Sequence, residues 1–271
     1  MKTIKYILAI VLFYNTAGTI IAQDEKIITN ARMISIGSAQ ILDTYLSPLH
    51  YNGPEVRYIS HTLRERPDSS RLFREIVHQG GISILDNKSG NGGEIAGSYN
   101  FQYGWQLHLA DYRFSGSTLR LDAGGNIDAN IGFIYNTRNS NNPAQARAYL
   151  NLTPTAAATY TIHGKRPLRF RYEVGVPLAG IMFSPNYGQS YYEIFSQGNY
   201  DHNIVPTWIG NAPSMRQMLS LDCSLWGTTI RIGYLGDYQQ ARVNNLKSHI
   251  YSHALLIGIV RKFNVKKLKQ P

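Results

Sequence analysis

The sequence predicts an all-β protein, an antiparallel up-and-down transmembrane β-barrel of ten to twelve strands. Three observations favour this fold: long segments of alternating apolar and polar residues, an N-terminal segment typical of exported proteins, and a composition with 16% charged residues and 19 tyrosines. Because lipid-facing and lumen-facing residues alternate along each strand of such a barrel, its overall hydropathy is mild.

Residues 1–22 have the pattern of a secretory signal peptide. Lys2 and Lys5 precede an apolar run over residues 6–14, and Ala22 supplies a small residue for cleavage. The run is shorter than the roughly 20 residues of a membrane-spanning helix, so it indicates export and cleavage. Cys223 is the single cysteine, which excludes an intramolecular disulfide.

Segment 94–110 shows the clearest strand pattern. From Ile95 to Leu109 the odd-numbered positions are apolar or aromatic except Gly97, whereas the even-numbered positions are polar or small. A period of two indicates a strand with one apolar and one polar face. At about 3.3 Å per residue the segment is long enough to cross a bilayer at a tilt. We expect the apolar face to contact lipid and the polar face, which includes Asn100 and Gln106, to line the lumen.

The same alternation recurs along the chain. The further strands that it predicts are 55–63, 72–85, 118–123, 127–135, 147–162, 168–176, 218–225, 229–238 and 247–263. The segment Gly124-Gly125-Asn126 predicts a tight hairpin turn. These strands number ten, and a further hairpin built from residues 188–195 and 204–210 gives twelve.

The ends of the mature chain have weaker patterns. Residues 23–50 have no clear period, and we interpret them as a periplasmic lead or a first-strand segment. The predicted barrel then covers residues 51–265, and residues 266–271 form a basic C-terminal tail.

The predicted connections alternate between short turns and longer links. The short turns are 124–126, 164–166 and 226–228, and the longer links are 137–144, 184–214 and 241–246. Transmembrane barrels place short turns on the periplasmic side and long loops outside. This phase predicts that both termini of the barrel are periplasmic.

Charges of both signs lie on the polar faces of the predicted strands. These lumen candidates are Arg120, Asp122, Asp128, Arg147, Arg169, Arg171, Glu173, Asp222, Arg231 and Asp237. A barrel of this size has a narrow interior, and charges removed from water must pair. We expect an ion-paired polar lumen that fills the barrel; an arginine-lined site for a small anionic solute is the alternative.

The longest link contains an unusual tyrosine-rich motif. Its candidate functional residues are Ser184, Tyr187, Gln189, Tyr191, Tyr192 and Glu193. Long ordered loops often carry function, and we expect this one near the outer mouth of the barrel. Packing of the loop into that mouth is the alternative interpretation.

Enzymatic activity has only weak candidates. Ser184 with His202, or His249 and His253 beside neighbouring serines, are the residue types of a lipid hydrolase on a barrel wall. No nucleophile elbow is present, so we expect no activity and keep the hydrolase as an alternative. The sequence also shows no metal-ligand spacing and no cofactor motif.

The net charge of +10 is spread over strands and the tail without a nucleic-acid recognition motif, so we expect no nucleic-acid partner. The expected partners are outer-membrane lipid, the barrel-assembly machinery and a small anionic solute, and we expect a monomer. A secreted soluble β-sandwich or lipocalin-like binder is a further alternative to the transmembrane barrel.

Several segments resemble an uncharacterised family of bacterial outer-membrane β-barrel proteins, a domain of unknown function from Gram-negative bacteria. They are residues 43–49, 51–53, 183–185, 187–195, 198–199, 233–234 and 243–246. The resemblance covers nearly all of the mature chain. It implies the barrel fold and an outer-membrane location, and it carries over no catalytic residue.

Overall fold

The computed structural model describes residues 26–66, 70–140, 142–225 and 227–265. The predicted signal peptide and the basic tail lie outside these residues. The described residues form β1 Lys26–Asp43, β2 Ser47–Glu65, β3 Leu72–Asn87, β4 Gly93–Phe114, β5 Ser117–Asn136, β6 Ala144–Ile162, β7 Leu168–Gly175, β8 Ala179–Phe183, the short helix α1 Tyr191–Phe195, β9 Ile204–Trp208, β10 Met215–Leu225, β11 Thr228–Val243 and β12 Leu246–Val265.

All twelve strand segments belong to one antiparallel sheet that closes on itself. β1 pairs with β2 on one side and with β12 on the other, and β5 pairs with β6, so the ring has no break between its first and last strands. The predicted all-β antiparallel barrel is confirmed. Such closure satisfies backbone N–H and C=O groups that lipid cannot bind.

The ring has ten strand positions. β7 and β8 lie end to end along β6, and β9 and β10 lie end to end beside them. Because two positions hold two segments each, the twelve segments fill ten positions. Lys26 pairs with Val265, so both termini lie at one end of the barrel, the terminal end; the opposite end, which carries residues 184–203, is the loop end.

The alternation in β4 matches the predicted orientation. Trp105 and Leu109 are exposed on the outer surface, whereas Asn100 and Gln106 are each 2% exposed and point into the lumen. Outward isoleucines and leucines continue this apolar surface on other strands, for example Ile131 and Leu255. Contiguous exposed apolar area of this kind marks contact with lipid or with another protein. Among the described residues, no helix is long and apolar enough to cross a bilayer.

The lumen is less polar than predicted. One cluster of buried apolar residues lies near the loop end and comprises Ala39, Ile41, Leu46, Tyr51, Leu85, Ala96 and Ile134. A second comprises Ala31, Met33, Ile59, Leu235 and Leu256. The odd-numbered residues of β1 face inward and are largely apolar, so the lumen wall around β1 is packed like a soluble core.

The predicted hairpin turn at Gly124-Gly125-Asn126 is wrong. These residues lie within β5, which pairs continuously with β4 and β6. Neither glycine has the positive φ that such a turn requires. A Cβ on Gly124 would lie 2.2 Å from the Trp105 carbonyl oxygen and 2.4 Å from Gln106 Oε1. Glycine is therefore present because β4 and its Gln106 side chain approach closely.

Of the two interpretations of residues 23–50, the described part agrees with a first-strand segment, because Lys26–Asp43 pairs along its whole length with β12. The predicted count of ten omitted this strand and counted β5 as two strands, so the total agrees with the ten positions although its members differ. The optional extra hairpin is also wrong over residues 188–195, since Tyr191–Phe195 is helical and β9 pairs with β8.

The lengths of the connections agree only partly with the prediction. The link predicted at residues 241–246 is a two-residue turn, in which Asn244 and Asn245 have φ values of 50° and 59°. Two residues with positive φ are the signature of a type I′ hairpin, and asparagine tolerates that conformation. The loop end therefore carries short turns as well as the long 184–203 connection.

We predict that Gly124→Ala destabilises the barrel by about 1–3 kcal/mol, because the added methyl group overpacks the β4–β5 interface. Urea unfolding of the protein refolded into lipid vesicles measures this change. Gly125→Ala is the matched control, since a Cβ there meets only the Thr153 carbonyl oxygen at 3.8 Å. Equal effects of the two substitutions would contradict the strand assignment.

Candidate functional site

A buried arginine lies at the centre of the first polar network of the lumen. Arg57 Nε donates to Glu55 Oε1 at 2.6 Å, Nη1 donates to Asp237 Oδ2 at 2.7 Å, and Nη2 donates to Ser252 Oγ at 2.6 Å. These contacts join β2, β11 and β12. We call Glu55, Arg57, Asp128, Arg216, Asp237 and Ser252 the mid-lumen network.

Arg216 extends the mid-lumen network across the lumen. Its guanidinium lies 3.3 Å from Asp237 Oδ2 and 3.7 Å from Asp128 Oδ2, and Nη1 donates to Asn100 Oδ1 at 3.1 Å. Asp128 lies on β5, which β6 and β7 separate from β10 in the ring. The Arg216 side chain therefore bridges parts of the wall that are not neighbours in the sheet.

A second network, the His61 network, comprises His61, Glu75, Asp122, Arg171 and Glu173. His61 Nε2 lies 2.8 Å from Glu75 Oε1, and Nδ1 lies 3.7 Å from Glu173 Oε2. Arg171 Nε donates to Glu173 Oε1 at 2.7 Å, and Nη1 lies 3.4 Å from Asp122 Oδ2. Because His61 on β2 and Glu173 on β7 are on opposite sides of the ring of ten, this network also crosses the lumen.

His61, Glu75 and Glu173 bring three possible metal-ligand atoms within 4.8 Å of one another, a cluster that sequence spacing did not reveal. Each carboxylate already has other partners, since Glu75 also accepts from Gln106 and Asn126, and Glu173 pairs with Arg171. These contacts hold the three side chains within the His61 network.

Most of the predicted lumen charges make ion pairs. Arg231 donates to both oxygens of Asp222 at 2.6 and 2.8 Å on neighbouring strands, and Arg120 contacts Asp122. Among the residues that the structure describes, Arg147 and Arg169 make no ion pair. Arg147 has only a 3.5 Å hydrogen bond to Gln239, and the buried Nε of Arg169 has no hydrogen-bond partner.

Glu55, Arg57, His61, Glu75 and Arg216 were absent from the predicted lumen set. The alternation itself contains the signal for the β2 residues, because Val56 and Tyr58 are outward and apolar. Glu55, Arg57 and His61 therefore share the inner face. The pattern of one strand does not show which distant strand supplies the ion-pair partner of each of these residues.

A cavity of about 120 Å³ lies in the lumen. Both networks border it, through His61 and Glu173 on one side and Arg216 and Asp237 on the other. A volume of this size holds on the order of ten water molecules. Arg147 and apolar side chains such as Met182 and Met218 complete its lining.

The tyrosine-rich loop covers the loop end of the barrel. Tyr191 Oη donates to Gln145 Oε1 at 2.7 Å and accepts from the backbone N–H of Ala146 at 2.6 Å. The Tyr191 ring lies edge-on to Tyr45, with 5.8 Å between centroids. Ser190 and Glu193 form a capping box at the start of α1, and hydrogen bonds to Ser190 lower the pKa of Glu193.

The other loop-motif residues divide into two groups. Ser184 and Gln189 are buried, and Gln189 Oε1 accepts from the backbone N–H of Asn186 and from Asn203. Tyr187 and Tyr192 are 74% and 65% exposed. The motif therefore combines a structural clasp with two tyrosine side chains that face solvent.

The weak catalytic candidates do not assemble into a Ser–His pair. Ser184 Oγ donates to the Pro185 carbonyl oxygen, and exposed His202 contacts Asp201. His253 hydrogen-bonds to Tyr234 on the outer surface. Its neighbour Ser252 points into the lumen.

His249, the remaining candidate, stacks on Tyr251 at 4.5 Å between ring centroids. Within the described part of the chain, no serine hydroxyl is hydrogen-bonded to a histidine, so the nucleophile and base that hydrolysis requires are not in contact.

The family described as "Protein of unknown function (DUF3316)" matches residues 5–270, and the chain belongs to that family. The predicted resemblance to an uncharacterised family is thereby confirmed. No curated protein matches the sequence.

Several solved outer-membrane proteins are similar in structure. The outer membrane protease OmpT from Escherichia coli is 7% identical, with a TM-score of 0.46 over 90% of this chain and 98% of that chain. The transport unit of the autotransporter AIDA-I from Escherichia coli is 8% identical, with a TM-score of 0.41 over 94% and 97%. The COG4313 outer membrane channel from Pseudomonas putida F1 is 9% identical, with a TM-score of 0.36 over 90% and 97%.

We predict that Tyr191→Phe loosens the loop, because it leaves Gln145 and the Ala146 N–H without their partner, at a local cost of about 1–3 kcal/mol. Limited proteolysis in detergent should cut residues 184–203 faster than in the wild type. Tyr192→Phe is the control, since that side chain is exposed. Equal cleavage of both variants would show that the Tyr191 hydroxyl does not hold the loop.

Ionisation of Tyr45, which packs against Tyr191, is expected to loosen the same loop at alkaline pH. Burial raises the pKa of Tyr45 from 10.0 to about 12, and the nearby Asp43 and Glu193 carboxylates add to this effect. A raised folded-state pKa means that stability is complete below pH 10 and is lost as the pH rises through about 12. We expect loop proteolysis to increase over that range.

Tyr45→Phe should remove this contribution to the alkaline transition without destabilising the loop at neutral pH. The reason is that the buried Tyr45 hydroxyl has no hydrogen-bond partner among the described residues. A variant that keeps the wild-type pH profile would assign the transition to another group.

Proposed function

We propose that this member of the DUF3316 family is an outer-membrane β-barrel of structural or narrow small-solute type, whose resting lumen is closed to free diffusion. The observation that carries the proposal is the crossing of the lumen by the mid-lumen network and by the His61 network. Both contain buried and partly buried charges that bridge strands on different sides of the ring.

The cost of breaking buried ion pairs keeps the lumen closed. Removing one member of a buried charge pair leaves the other uncompensated and costs several kcal/mol. Arg57 uses its donors on Glu55, Asp237 and Ser252 simultaneously. Thermal motion of a single side chain therefore does not open a water-filled path.

Three features support a location in the outer membrane. The outward face of the strands is apolar, the closed ring satisfies the backbone in lipid, and the N-terminal residues have the pattern of a signal peptide for export. In this proposal the terminal end is periplasmic and the tyrosine-rich loop lies outside. The proposed partners are outer-membrane lipid and the barrel-assembly machinery, and the proposed state is a monomer.

Single-channel recording in planar bilayers tests the closed lumen. We expect the wild type to show no open-pore conductance, and the double variant Arg216→Ala/Asp128→Ala to show discrete conductance steps. This variant removes one positive and one negative charge from the contact that crosses the lumen, so it leaves the net charge unchanged.

Arg231→Ala/Asp222→Ala is the matched control, because it removes a buried pair of the same charges that joins the neighbouring strands β10 and β11. This control should remain closed. A wild type with a stable open pore would overturn the proposal, as would a crossing-pair variant that conducts no more than the control.

A further inference from the structure

The barrel wall is interrupted where two strand positions are split. The β7–β8 position is broken at residues 176–178, and the β9–β10 position is broken at residues 209–214. β9 pairs with β8, and in the described chain it has no ladder with β11. The β11 residues 239–243 pair only with β12. We call residues 209–214 and the facing residues 239–243 the seam.

Few hydrogen bonds hold the seam. The Arg242 N–H donates to the Asn211 carbonyl oxygen at 2.7 Å, and the Gln240 N–H donates to Ser214 Oγ at 3.1 Å. Elsewhere the wall is joined by continuous ladders, such as the β1–β12 pairing from Lys26 to Asp43. Fewer hydrogen bonds must therefore break to open the seam locally than to separate a continuous ladder.

The lumen cavity reaches the outer surface at the seam. Its lining includes Gln239, which points into the lumen, and also Leu178, Trp208 and Tyr238, which lie on the outer face. Leu178 and Trp208 are 49% and 59% exposed. Inward and outward residues beside the two broken strand positions therefore border the same cavity, which places the cavity against the seam.

Arg147 gives the cavity a site for an anion. The other two arginines of the lining have carboxylate partners, Arg171 with Glu173 and Arg216 with Asp237. Arg147 has no ion pair among the described residues, and its 3.5 Å hydrogen bond to Gln239 is long. Apolar side chains of Met182 and Met215 lie in the same cavity, so it offers a charged contact beside an apolar surface.

We propose that the cavity binds a small anionic amphiphile, a single-chain carboxylate that enters from the bilayer through the seam and pairs with Arg147. The alkyl chain then lies against the apolar lining between Arg147 and Trp208. The proposal rests on the proposed placement in a membrane, but it does not require a closed lumen. A negative result in the binding experiment therefore leaves the closed-lumen proposal intact, and a negative result in the conductance experiment leaves the ligand proposal intact.

Quenching of tryptophan fluorescence by brominated ligands tests the proposal. In detergent-solubilised full-length protein, bromo-octanoate should quench Trp208 saturably, and Trp208→Phe should remove the saturable part. Arg147→Gln should weaken bromo-octanoate about tenfold, because a charge-assisted hydrogen bond is lost. The same substitution should leave bromo-octanol unchanged.

Arg169→Gln is the matched control, since Arg169 also makes no ion pair with a described residue but does not line the cavity. Ala212→Phe fills the cavity next to the seam and should abolish saturable quenching by both ligands. Equal affinity of wild type and Arg147→Gln for the carboxylate would overturn the anion site. Quenching that survives Trp208→Phe or Ala212→Phe would overturn the route through the seam.

Discussion

The pairing of β1 with β12 is the constraint on which the rest of the structure depends. It joins the two ends of the described chain over eighteen residue pairs, from Lys26 with Val265 to Asp43 with Ser248. Without it the sheet would have two long edges with unpaired backbone groups, which a bilayer does not tolerate. Once the ring is closed, inner and outer faces are fixed for every residue, because side chains alternate along each strand.

Closure at ten positions also determines the interior. The space is too narrow to hydrate many charges, so each buried charge needs a partner from another part of the ring. Around β1 the inner face is apolar and packs as two clusters. Elsewhere it carries the mid-lumen network and the His61 network. Because these side chains fill most of the narrow interior, the lumen is closed and only a small cavity is left.

The sequence predicts the orientation of strands better than their boundaries. The period of two in 94–110 places Trp105 outside and Gln106 inside correctly, since that alternation is a local property. Gly124-Gly125 misleads, because glycine serves both a tight turn and a close backbone approach, and only the neighbouring Trp105 and Gln106 distinguish the two. The consecutive asparagines Asn244 and Asn245 are a local signal for a two-residue turn, whereas the predicted connection there is a longer link. Which arginine makes no ion pair among the described residues depends on contacts between distant strands, so Arg147 cannot be distinguished from Arg216 by inspection of the sequence.

The contacts of Arg57 have a consequence for the order of assembly. Its partners Asp237 and Ser252 follow it by 180 and 195 residues, so in any order of assembly Arg57 lacks these partners until β2, β11 and β12 are all in the ring. Until β11 and β12 join, this guanidinium has only Glu55 on its own strand. The β11–β12 hairpin therefore supplies both the partners of Arg57 and the strand that pairs with β1 to close the ring. Truncated chains are left with an incomplete network as well as an open edge, which distinguishes them from finished barrels before any ligand is present.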